Sequence, residues 1–176
     1  MTKTETFSNE DLDPVFRELG AALYVCQAFE HSLCYLLALN AHNQRPNEPA
    51  VASASFDLHS TQTLGGLIKS LKKQLVIPQD FETKLTETLQ LRNKLVHGYC
   101  TKNASCFVAP KDRLEMIKDL KAITRTIRKN DLEVCRVIDR FLEKFGLSTE
   151  ITKEWADETW RMLNFMPPDG KAPSTH

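Results

Sequence analysis

The sequence predicts an all-α fold, an up-and-down bundle of four to five helices with an extra C-terminal helix. Apolar residues recur at spacings of three and four along most of the 176 residues. Capping residue types open these runs, and Gly98 and Gly146 close two of them. No stretch shows the alternation of a half-buried strand. The division expected is a flexible lead (1–9), a single helical domain (10–165) and a disordered tail (166–176) rich in Pro, Gly and Ser.

The first helix is expected to start near Ser8–Asp11, with Leu12, Phe16, Leu19, Leu23, Cys26, Leu33 and Leu37 as its inward stripe. Pro14 is tolerable there only in the first turn. Glu30 falls inside the stripe, where a carboxylate needs a partner, and Arg92 or His97 is the candidate. Alternatively Phe29 turns inward and Glu30 sits at the stripe's wet margin. Residues 43–59 hold two prolines and no sustained period, which reads as a loop. A second helix, capped by Ser60 or Thr61, should run to about Val76 with Leu64, Leu67, Ile68, Leu71 and Leu75 inward, leaving Lys69, Lys72 and Lys73 on a solvated face.

Pro78 opens the next helix, whose stripe is Phe81, Leu85, Leu89, Arg92 and Val96. Residues 101–111 read as a connection, with an extended stretch allowed at Cys106-Phe107-Val108. Asp112 and Glu115 suggest a capping box. Leu114, Ile117, Leu120, Ile123, Ile127, Val134 and Phe141 then step along one long helix, with Lys129-Asn130-Asp131 as a possible break. A last helix over 149–164 would carry Trp155 and Trp160.

The chemistry concentrates in Arg92-Asn93-Lys94-Leu95-Val96-His97-Gly98-Tyr99. Gly98 suits the residue just past a helix end, which places His97 at the C-terminus, where the macrodipole favours imidazolium. A permanently charged guanidinium with a titratable imidazole can bind a phosphate and move its proton. Within one helix Arg92 and His97 point about 140° apart. Either the helix end unwinds or two chains bring their motifs together. A cap and a surface charge are the plainer reading of the same two residues.

Arg-Asn, three residues, His, one residue and Tyr resembles the signature of HEPN domains, and Thr63-Leu64-Gly65 with Leu67-Ile68 resembles the helix that precedes it in bacterial members. The likeness is sharp over residues 63–99. It implies a homodimeric, cytoplasmic, metal-independent endoribonuclease of toxin or defence type, in which Arg92, Asn93 and His97 are catalytic. Tyr99, Glu30 and Lys94 would serve substrate binding or regulation. In related toxins a partner nucleotidyltransferase, the antitoxin, attaches adenylate to the corresponding tyrosine. The competing reading is a non-catalytic HEPN-like helical dimer that binds a protein or nucleotide.

Lys/Arg and Asp/Glu balance at 23 each, so no global basicity advertises nucleic acid. Locally, residues 64–102 carry seven cations against three acids, which suits an anionic ligand. Five scattered cysteines lack the close C-x-x-C spacing of zinc or redox sites and read as reduced thiols. No P-loop, dinucleotide fingerprint or zinc-protease motif occurs, so neither cofactor nor metal is expected. The polar, acidic start indicates no secretion signal, and the apolar runs look too short for a bilayer.

Overall fold

The computed structural model describes residues 12–48, 50–107 and 109–146. The expected lead, last helix (with Trp155 and Trp160) and tail lie outside them. The chain divides into two compact units, 1–137 and 138–176, and the architecture below is that of the first.

Six α-helices and one 3-10 turn (Ala104–Phe107) follow in order: α1 (Asp13–Gln44), α2 (Ala50–Ser60), α3 (Leu64–Gln74), α4 (Gln79–Val96), α5 (Tyr99–Lys102) and α6 (Pro110–Lys144). Among the described residues there is no strand. The fold is an all-α helical bundle, as expected.

Pro14 occupies the first turn of α1, where its missing N–H costs nothing. The inward face is rotated from the expected one in its first half. Val15, Ala22, Val25 and Phe29 are buried, while Phe16 and Leu23 stand 52% and 36% exposed. Both sets satisfy helical spacing, which fixes the period of the buried face but not its phase. From Leu33 onward the expected stripe holds, with Leu33 and Leu37 fully buried.

The stretch read as a loop contains α2, a correction with a clear cause. Its side chains are mostly small, so the apolar period is faint, and the prolines at 46 and 49 lie before the helix rather than inside it. Phe56 packs against His31 and Tyr35 of α1, ring centroids 5.0 and 5.1 Å apart. α2 therefore doubles back along the C-terminal part of α1.

Thr63, not Ser60 or Thr61, caps α3, its hydroxyl accepting from the Gly66 N–H at 3.3 Å. Leu64, Leu67, Ile68 and Leu71 face inward as expected. At its far end Gln74 accepts from the Asn40 amide of α1, and Lys72 pairs with Glu82 of α4. Gly65 lies opposite Leu89. α3 thus runs antiparallel to α4 along the early part of that helix and stops near Leu89.

In α4, Leu85, Thr88 and Leu95 are buried, and Val96, expected inward, is 47% exposed. Of the Cys106-Phe107-Val108 stretch allowed as extended, Cys106 and Phe107 belong to the 3-10 turn, and Val108 lies outside the described residues. α6 starts at Pro110, so Asp112 sits in the first turn instead of capping it. Met116 is buried where Leu114 was expected, and Leu114 is 61% exposed. Asn130 does not break α6. It is 3% exposed, and its amide lies 3.3 Å from the Lys84 carbonyl, 3.0 Å from Glu87 and 3.1 Å from Thr88. With Tyr99 near Met116 at the other end, α6 is antiparallel to α4.

The result is a bundle of two tiers. α2 and α3 flank one half of the unit; the other half is built from α1, α4 and α6. α1 is the one described helix long and apolar enough to cross a membrane, against the expectation from run lengths, and half of its most apolar window is buried inside the structure.

Candidate functional site at the end of α4

The last two turns of α4 lie beyond the end of α3. Arg92 faces α1, and its Nε lies 3.2 Å from Oε1 of Glu30. Both side chains are about one-quarter exposed or less. The carboxylate inside the α1 stripe has the partner expected of it. Phe29 also turns fully inward, so Glu30 sits at the margin and is paired there.

Cys26, one turn before Glu30, lies buried beside this pair. Burial, reinforced by the Glu30 carboxylate and opposed by Arg92, pushes its thiol up to about 11, so it stays protonated. Cys34 is raised for the same first reason, burial, with Glu30 again adding to it.

Asn93 and His97 are exposed on the outward side of α4. His97 closes the helix, its N–H bonded to the Asn93 carbonyl at 2.9 Å. Gly98 follows with φ 146°, a conformation that L side chains rarely adopt. This turn ends α4 where the sequence placed its end. It brings Arg92 no closer to His97: one side chain points to α1, the other to solvent. Within a single chain the motif is divided between two faces.

Tyr99 is 1% exposed. Its hydroxyl lies 2.9 Å from Oδ2 of Asp119 and 3.3 Å from the Met116 carbonyl. The ring therefore lines no open cleft, and joining any group to that oxygen requires the side chain to leave its place. Lys94 donates to the same Asp119 carboxylate at 2.8 and 3.1 Å, with its ammonium 5.5 Å from the Tyr99 centroid. Asp119 thus ties α6 to the chain on both sides of His97 and Gly98. The sequence reading did not single it out, since nothing local distinguishes it from other acids in α6.

The described residues contain no group of three or more His, Cys, Asp and Glu able to hold a metal ion. The arrangement offers an anchored cation, an exposed amide and an exposed imidazole, which suits anion recognition and proton transfer. Comparison with protein-family models, with curated proteins and with solved structures finds no match to this chain.

Proposed function

We propose that the protein is a cytoplasmic, metal-independent endoribonuclease of HEPN type, acting as a homodimer. The carrying observation is the division of the motif: Arg92 is held by Glu30 at the α1–α4 edge, while Asn93 and His97 face solvent. Joining two chains at this end supplies what one chain separates. Exposed Leu23, two turns before Glu30 on its face of α1, and exposed Val96, one turn past Arg92, flank the ion pair on the same side and support such a contact.

In the reaction, an RNA 2′-oxygen attacks its adjacent phosphorus and the P–O5′ bond breaks. The products carry a 2′,3′-cyclic phosphate and a 5′-hydroxyl. His97 takes the 2′-OH proton or delivers one to the leaving O5′, Arg92 offsets charge on the phosphoryl oxygens, and Asn93 orients one of them. Tyr99 is the site at which an antitoxin nucleotidyltransferase would act, after release from Asp119. The engagement of Arg92 by Glu30 favours a second reading, a non-catalytic dimer that binds protein or nucleotide.

Cleavage of a mixed RNA pool in excess EDTA tests the proposal. Wild type should leave cyclic-phosphate ends, and His97→Ala and Arg92→Ala should each lose at least about a hundredfold in rate. Mixing the two variants should restore roughly a quarter of wild-type activity if each site draws on both chains. An inert wild type with unmodified Tyr99 would hand the assignment to the binding module.

A further inference from the structure

α6 carries a stripe of cations that the charge sum of residues 64–102 does not include. Between Lys118 and Lys129 the sequence holds five Lys/Arg and one acid, Asp119. Lys118, Lys121, Arg125, Arg128 and Lys129 fall within an arc of about 100° on the helix, and all five are exposed. Asp119 points away from them, toward Lys94 and Tyr99.

Two of the five have acids nearby. Lys118 meets Glu115 at 2.8 Å at the exposed surface, and Lys121 lies 3.8 Å from Glu18, whose side chain is 16% exposed. Arg125, Arg128 and Lys129 have no hydrogen bond or ion pair among the described residues. Arg125 and Lys129, one turn apart, repel, and no acid among the described residues is paired with either.

The stripe is about 16 Å long at the α-helical rise, room for a few successive phosphates. It starts at the level of Asp119, which holds Lys94 three residues before His97. It ends beside Asn130, at the level of Thr88. It therefore spans the same levels as the later turns of α4 but faces away from that helix. Asp119 and Asn130, which meet α4, lie about 80° or more around α6 from the nearest cation of the row, and Lys121 turns its edge toward Glu18 of α1. A face built to lie on a lipid surface carries a broad apolar sector beside its cations. Here the exposed leucines, Leu114 and Leu132, stand only beyond the ends of the row.

We propose that this face of α6 binds the phosphodiester backbone of single-stranded RNA. The choice of RNA rests on the nuclease reading above; the anion-binding face rests on the charges themselves.

Anisotropy of a labelled, unstructured RNA of about 20 nucleotides in excess EDTA tests this, with the full-length His97→Ala protein as the non-cutting parent. Replacing Arg125, Arg128 and Lys129 together by Gln should weaken binding at least about tenfold. It should also lower the slope of log affinity against log salt by about 2, at ~0.7 per phosphate contact on a single strand. Lys69→Gln with Lys73→Gln, the same kind of change on α3, should stay within about twofold of the parent. The proposal is overturned if the α6 variant binds like the parent, if the α3 variant loses as much, or if the parent binds no RNA. Tighter binding to duplex DNA or to phosphatidylserine vesicles overturns it as well. Wild-type cutting separates the two readings: cutting with unchanged binding in the α6 variant sinks the stripe alone, and stripe-dependent binding without cutting sinks the nuclease alone.

Discussion

Gly98 carries the sharpest single-residue demand in the described chain. Its φ of 146° is backbone-imposed, because a Cβ there would meet nothing within 4 Å. Gly98→Ala should therefore cost about 1–3 kcal/mol through strain alone, seen as a lower denaturant midpoint at unchanged slope. An unchanged midpoint would mean the turn has another conformation in solution. Thiols offer a second check. Native protein treated with an aromatic disulfide should label Cys100, which is exposed, well before Cys26 or Cys34, both buried and with thiols raised by burial. Rapid native labelling of Cys26 would contradict its place beside the Glu30–Arg92 pair. That pair was legible in the sequence, because a carboxylate inside an apolar stripe must be answered and Arg92 continues an apolar line. Asp119 was not legible. Its partners lie 25 and 20 positions away, and no periodicity connects them.

Among the elements, α6 crosses the bundle with a polar step. Asn130 serves α4, and Asp131 next to it faces Ser32 of α1 with one carboxyl oxygen buried and unmatched. Burial raises the Asp131 carboxyl above its ordinary value, with the Ser32 hydroxyl partly opposing. A carboxyl raised in the folded state favours folding while protonated, and that benefit is lost as pH rises through the folded value. At neutral pH the charge is thus a cost, so Asp131→Asn should stabilise by on the order of 1 kcal/mol. The advantage should disappear below the unfolded carboxyl range, and urea titrations at pH 7 and pH 3.5 would show it. Equal stability of the two proteins at pH 7 would count against a desolvated charge. Helix spacing made α1, α3, α4 and α6 readable, but it fixes the period and not the phase. Phe16 and Leu23 compete on equal terms with Val15, Ala22 and Val25 until neighbours decide. α2 escaped notice because small side chains leave little contrast between its faces.

At the scale of the whole molecule, the proposed dimer makes its own demand. Leu23→Glu with Val96→Glu should convert a dimer to a monomer by light scattering while leaving helix content unchanged, since both side chains are exposed. A wild type that is monomeric at micromolar concentration would remove the composite site. The two tiers also bear on how the molecule moves. Where α2 and α3 flank α1, each helix turn is bounded on several sides. At the other end α1, α4 and α6 have fewer neighbours, and the amides there are expected to exchange with deuterium through small local openings rather than through global unfolding. The end bearing Arg92 and His97 would then be the breathing end, able to part α5 from α6 and bring the Tyr99 hydroxyl into water while the thicker tier stays closed. Peptides covering residues 92–102 should gain mass earlier than those covering residues 64–74.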